Sequence, residues 1–293
     1  MPWLQLIFNT TQQECPLYSE ILSNIGALSV TLEDAGDQPI YEPLFGETPH
    51  WPDTRVIGLF DGDTNLDEVV ETVREQLKPI TIAHWQIEKL EDRDWAKEWT
   101  KDFHPIQITN ELWICPSWCE PPEPSATNIY MDPGLAFGSG THATTSLCMS
   151  WLAQHKPYEM DMIDYGCGSG ILAITAAKLG AKQVWAIDND PQALVSTHHN
   201  AKNNGVDNII HIGLAENFDD LLVDVLMANI LALPLVELAE HFANMVKPHG
   251  NIVLSGILPD QIDLITKTYV QWFDIKPATI KDNWVRIEGK RHK

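Results

Sequence analysis

Apolar residues recur along this chain with two different periods, and the switches between them predict its elements. Residues 4–9, 28–34, 55–60 and 83–90 alternate or cluster apolar side chains as strands do. Residues 15–24 and 66–77 repeat them at three- and four-residue spacing, as one face of a helix does. The resulting order is β-α-β-β-α-β, the split βαβ arrangement. The first part of the chain is therefore expected to be a small α+β, ferredoxin-like domain, an antiparallel sheet with both helices on one face. Residues 36–52, rich in Pro, Gly and acids, read as an irregular insertion between the middle strands.

A connecting helix is expected over 94–102, where Trp95 and Trp99 share a face and read as packing residues. Residues 112–115 follow as a strand and 116–124 as a proline-rich crossing. Beyond them, helices are expected at 146–154, 171–179, 191–203, 234–246 and 260–269. Strands are expected ending at Met162-Ile163 and at 184–188, 209–213, 223–228 and 251–255. Asp190 as N-cap, Pro191 at the first helical position and Gly205 beyond the end bracket one of these helices. Residues 273–280 and 284–288 read as a terminal hairpin around Asp282-Asn283. Such alternation predicts an α/β fold, a doubly wound and mostly parallel sheet with its ligand at the carboxyl ends of the strands. The expected division is 1–92, a connector over 93–102, and 103–293.

The most informative stretch is Asp164-Tyr165-Gly166-Cys167-Gly168-Ser169-Gly170, followed by the apolar run 171–179 and then Val184-Trp185-Ala186-Ile187-Asp188. Three glycines between a strand and a helix allow a tight turn whose backbone approaches a ligand closely. Asp188, about 20 positions on and ending the next strand, is placed to accept the hydroxyls of a ribose. The turn reads G-x-G-x-G and lacks the longer spacing that sets a pyrophosphate on a helix N-terminus, which counts against a nicotinamide cofactor. The glycines alone are also compatible with an ordinary loop; Asp188 at this distance is not so easily explained.

Composition narrows the setting. The 293 residues suffice for two domains with cores of their own, and no apolar run is long enough to span a membrane. A basic segment leading an apolar core is missing at the N-terminus, so a soluble, cytoplasmic protein is expected. Five cysteines without a C-x-x-C pair predict reduced thiols, and the 11 histidines form no metal-ligand pattern. The net charge is −22, and residues 1–92 hold 17 Asp and Glu against 4 Lys and Arg. Such an acidic body repels nucleic acid and attracts a basic partner, although acidity also serves solubility.

A second constellation, Met131-Asp132-Pro133-Gly134-Leu135-Ala136-Phe137-Gly138-Ser139-Gly140-Thr141-His142-Ala143-Thr144-Thr145, precedes the helix before the glycine turn. Leu226-Met227-Ala228-Asn229-Ile230-Leu231 places Asn229 at the end of a predicted strand. With the acid-led glycine turn, these stretches resemble the family of ribosomal protein methyltransferases that modify large-subunit protein eleven, within the class I S-adenosylmethionine-dependent superfamily. The likeness extends over the whole chain. It implies a seven-stranded sheet and an N-terminal domain that docks a basic ribosomal protein. It also implies methyl transfer from S-adenosylmethionine to lysine or N-terminal amines.

By motif position, the resemblance implies cofactor contacts from Thr145, Gly166, Asp188 and Asn229, with Asp164, Gly168 and Phe137 lining the same pocket and Asn229 facing the transferred methyl. Tyr165 departs from the Val or Leu that is common in the motif. Gly213-Leu214-Ala215-Glu216 lacks an acid directly at the adenine position, so that contact stays unassigned. His142 is a candidate base, although a histidine in such a loop is more commonly a structural hydrogen-bonding residue. An RNA methyltransferase of the same fold would want Lys and Arg clusters, and only Lys290-Arg291-His292-Lys293 is dense in base. Direct nucleic-acid or membrane binding is not expected. A non-catalytic binding module would not need Asn229 or the glycine-rich cap.

Overall fold

The computed structural model describes residues 3–36, 38, 40, 50–78, 85–90, 104–132, 142–218 and 221–293. The chain divides into two compact units, Met1–Glu98 and Trp99–Lys293. The expected connector helix with Trp95 and Trp99, and the cap residues 133–141 with Phe137, lie outside the described residues.

In the first unit the order is β1 (Trp3–Thr11), α1 (Cys15–Asn24), β2 (Ser29–Asp34), β3 (Asp53–Asp61), α2 (Leu66–Gln76) and β4 (Trp85–Leu90). The strands pair antiparallel in the order β2-β3-β1-β4, with Leu4 opposite Phe60 and Leu6 opposite both Gly58 and Ile87. Alternation along the strands sends Leu6, Phe8, Val56 and Phe60 to one face, where they bury against Tyr18 and Leu22 of α1 and Val70 and Val73 of α2. Both helices therefore cover the same face of the sheet.

The second unit opens with β5 (Ile106–Thr109), β6 (Leu112–Cys115) and β7 (Thr127–Tyr130), a three-stranded sheet of its own. Only β6 is signalled by periodicity, because β5 and β7 are four residues long and half polar. Then come α3 (Ala143–His155), β8 (Asp161–Tyr165), α4 (Ile171–Lys178), β9 (Gln183–Ile187), α5 (Pro191–Asn203), β10 (Ile210–Gly213) and β11 (Val223–Asn229). They are followed by α6 (Ala232–Glu237), α7 (Ala239–Met245), β12 (Val246–Ile257), α8 (Ile262–Tyr269), β13 (Phe273–Ile275), β14 (Thr279–Lys281) and β15 (Trp284–Arg291).

The main sheet has eight strands, with seven in the path β10-β9-β8-β11-β12-β15-β13 and β14 paired to β15. Pairing is parallel from β10 to β12 and antiparallel at β15. Alternate residues of each strand face opposite layers. Met162, Met227 and Val253 pack with α3 and α4, while Ile163, Leu226 and Leu254 pack with α6, α7 and α8. From β8 the chain runs outward through β9 and β10, and later through β11 and β12 on the other side. The order thus reverses between β8 and β11, and the crevice at their carboxyl ends is where such sheets hold ligands.

Two expected elements are divided. The helix over 234–246 is two helices meeting at Leu238, whose ψ of 3° leaves the helical range. The strand over 273–280 is interrupted at Pro277, which has no N–H for the ladder, and continues as β13 and β14 along one edge of β15. Asp282 and Asn283 have φ of 48° and 60°, the pair of left-handed residues that a two-residue hairpin turn requires. Among the described residues no helix is long and apolar enough to cross a membrane.

Gly256, near the end of β12, fixes the neighbourhood of Asn229. Its φ is +84°, and a Cβ there would lie 2.2 Å from the Ile230 carbonyl oxygen. Gly256→Ala adds left-handed strain to a backbone collision and is expected to cost about 2–4 kcal/mol. Urea unfolding checks this, and an unshifted midpoint would show that the Ile230 segment yields freely.

Candidate functional site

The strand β8 cannot pass into α4 without a reversal, and the glycines supply it. Gly166, Gly168 and Gly170 have φ of 74°, 54° and 79°, and Gly170 serves as the left-handed N-cap of α4. Space is as restrictive as torsion. A Cβ on Gly166 would lie 2.3 Å from Ile230 Cγ2, and one on Gly170 would lie 2.7 Å from Thr197 Cγ2. The N–H groups of Gly166 and Cys167 both donate to the Ile187 carbonyl, at 2.8 and 3.0 Å, tying the turn to the end of β9.

Two carbonyls of the turn are met by α5. Thr197 Oγ1 donates to Gly168 O at 3.0 Å, and Asn200 Nδ2 donates to Ser169 O at 2.9 Å. One turn on, Asn204 donates to Tyr130 O and accepts from its N–H, joining α5 to β7. Sequence reading did not single out these three residues. The signal present was a run of Thr and Asn at helical spacing, which looks like a solvated face until its partners are known.

Asp188 follows β9 directly and is half-buried. Its Oδ2 accepts the Gly168 N–H at 2.9 Å and its Oδ1 accepts the Asp190 N–H at 3.0 Å. A carboxylate has about four lone-pair sites, so both oxygens can accept further donors while holding the turn. Asp164, the last but one residue of β8 before the glycines, is fully buried. Its Oδ2 accepts the Ala173 N–H at 2.9 Å, and its Oδ1 has no partner among the described residues. Burial pushes this carboxyl up to about 7, against the Ala173 hydrogen bond and helped by the Asp188 charge. The Cys148 thiol is pushed up to about 12 and the Cys167 thiol is also raised, both by burial, which leaves them neutral and unreactive.

Asn229 ends β11, beside Ser255 of β12 and one residue beyond the Ala228–Tyr165 pairing to β8. It is half-buried, and among the described residues no hydrogen bond holds its side-chain amide. An asparagine that merely capped the following turn would be engaged by it. Ile230, the next residue, packs on Gly166. Thr145 is 1% exposed in the first turn of α3.

His142 is the N-cap of α3. The Thr144 N–H reaches its Nδ1 at 3.4 Å, Thr144 Oγ1 lies 2.7 Å from the same nitrogen, and the ring meets Trp284 edge-on with centroids 4.7 Å apart. Burial lowers its pKa. These contacts give His142 a structural occupation. The start of the glycine-rich cap is fixed by Asp132, which accepts from Ser117 N and Ser117 Oγ, each at 2.7 Å.

With this geometry in view, residues 2–292 match the family model described as ribosomal protein L11 methyltransferase (PrmA). The chain belongs to this family. A ribosomal protein L11 methyltransferase of Shewanella sp. (strain ANA-3) is 48% identical over 294 residues, covering 99% of this chain and 100% of that protein. One from Actinobacillus pleuropneumoniae serotype 5b is 48% identical over 291 residues, covering 99% of each. The crystal structure of a ribosomal protein L11 methylase from Lactobacillus delbrueckii subsp. bulgaricus superposes with a TM-score of 0.60 and 32% identity, covering 65% of this chain and 100% of that one.

Asn200 generates a direct test of the turn's support. Asn200→Ala removes the 2.9 Å hydrogen bond to the buried Ser169 carbonyl and is expected to destabilise the protein by about 1–3 kcal/mol. Chemical unfolding measures it; an unchanged stability would mean that the carbonyl finds another partner.

Proposed function

We propose that the second unit binds S-adenosylmethionine over the glycine turn and transfers its methyl group to amines of ribosomal protein L11, docked by the acidic first unit. The observation that carries this reading is the Asn229 amide, held by no hydrogen bond among the described residues and set at the carboxyl end of β11, beside a turn with no room for a Cβ at Gly166 or Gly170. The groups present suit the cofactor. Gly166 and Gly168 offer backbone at close approach for its methionine part, Asp188 has acceptor capacity left for ribose hydroxyls, and Thr145 has a hydroxyl near the cap for its carboxylate or amine. Asp164 lies under the turn, and Phe137 is assigned to the covering cap on sequence alone.

When bound, the cofactor supplies a methyl group on a positively charged sulfur, so no metal is required. The protein's task is to present a neutral amine in line with it. A lysine ammonium has an ordinary pKa of about 10.4 and must lose a proton before it can attack. A water-poor crevice disfavours the charged form, and the Asn229 carbonyl accepts a hydrogen bond from the amine and fixes its direction. The proton passes to water, since His142 is occupied in capping α3.

The first unit is read as ferredoxin-like from its β-α-β-β-α-β order and its β2-β3-β1-β4 pairing. Its excess of carboxylates suits a basic protein and speeds encounter. The same excess argues against an RNA substrate.

Methyl transfer to L11 at saturating cofactor separates the assigned roles. Asn229→Ala is expected to lower turnover by roughly a hundredfold while cofactor affinity changes little, since an orienting contact acts in the transition state. Asp188→Ala is expected to do the reverse, weakening cofactor binding by about 1.5–3 kcal/mol. Normal turnover in the Asn229 variant would reduce that residue to a structural one. A protein lacking residues 1–92 is expected to bind cofactor but to lose methylation of intact L11; retained full activity would remove docking from the first unit.

A further inference from the structure

Beneath the glycine turn lies a carboxyl group whose bonding is incomplete. Asp164 is 0% exposed, and among the described residues the Ala173 N–H on Oδ2 is its one hydrogen bond, Oδ1 being buried without a partner. A buried anionic oxygen without a donor loses its hydration uncompensated, whereas the neutral acid loses much less. The groups around it do not correct this. Asp188, at the end of β9, adds a like charge. Cys148 of α3 and Cys167 of the turn are thiols that burial keeps neutral. Met227, its neighbour on β11, is apolar. Arg286 of β15 is the buried cation of this region, but its guanidinium donates to Leu147 O at 3.0 Å and to Thr279 Oγ1 at 3.1 Å, and its field falls on Cys148.

We infer that Asp164 discriminates between the methyl-bearing cofactor and the demethylated product: it is a neutral acid in the free protein, releases its proton to solvent beneath a sulfonium, and keeps it beneath a neutral thioether. The inference rests on the cofactor reading above. A fixed positive charge in a water-poor site favours the carboxylate, so binding the sulfonium and losing the proton help each other. In methyl transfer the carbon–sulfur bond breaks, the electron pair stays on sulfur, and the methyl joins the amine nitrogen, which carries the positive charge and sheds a proton to water. The sulfur is then neutral. The carboxylate takes a proton back from solvent, and the attraction that favoured the substrate cofactor is gone when the product must leave. Asp164 thus acts as a positioning and selectivity residue rather than a nucleophile or base.

Titration calorimetry of the full chain tests this in two buffers of different ionisation enthalpy at about pH 6, with S-adenosylmethionine and S-adenosylhomocysteine as ligands. The two share their amino-acid part, so the difference in proton release isolates the sulfur charge. S-adenosylmethionine is expected to release up to one more proton than the product. Its affinity relative to the product should rise with pH, by up to about tenfold per unit, and level off above about 7. In Asp164→Asn the difference in proton release is expected to vanish. If that variant does not fold, infrared difference spectra of the unaltered protein serve instead, with loss of a protonated carboxyl band on adding S-adenosylmethionine but not on adding the product. Equal proton release for both ligands, or a band that persists, would overturn the inference while leaving the cofactor reading intact. Binding of neither ligand would overturn both.

Discussion

The structure of the site depends on backbone crowding at the glycine turn. Three left-handed residues in five carry the chain from β8 to α4, and the space where a side chain would stand is taken by Ile230 at Gly166 and by Thr197 at Gly170. Each neighbour is held in turn. Ile230 is pressed by Gly256, so β11 and β12 keep their spacing beside the turn, and α5 lies close enough for Thr197 and Asn200 to reach the turn carbonyls. The result is a rigid floor at the point where strand order reverses, with the ends of β8, β9 and β11 set by contacts that glycine alone permits.

That crowding also explains what was legible in the sequence. The acid-led glycines, Asp188 and Asn229 could be placed because each sits at the end of an apolar run, and a strand end is a position that periodicity defines well. Thr197 and Asn200 could not, since a polar residue inside a helix looks the same whether it meets water or a buried carbonyl. Asp132 as the anchor of Ser117 was hidden for a similar reason, its partner being 15 residues away. The short strands β5 and β7 carry Gln107, Thr109, Thr127 and Asn128 and have too few residues to establish a period. The break at Leu238 follows from packing rather than from any helix-breaking residue. The break at Pro277 is passed over in reading 273–280 as one strand, although proline cannot donate to a ladder.

Charge sets a second constraint, and it opposes the chemistry proposed for the site. An acidic protein gathers cations, which favours encounter with both a sulfonium cofactor and a basic substrate. The same field holds a lysine ammonium in its charged form and so disfavours the neutral amine that must attack. The two demands are compatible only if the carboxylates beside the methyl-transfer crevice are engaged or neutral. Residues 1–92 hold 17 of the 41 acids but only 4 of the 19 bases, so the net negative charge is concentrated in the first unit. At the glycine turn Asp188 is engaged by the turn and Asp190 amides, and burial raises the Asp164 carboxyl to about 7. The proposed chemistry therefore asks the excess acids of residues 1–92 to serve encounter, and the acids at the glycine turn to stay engaged or neutral while the amine reacts.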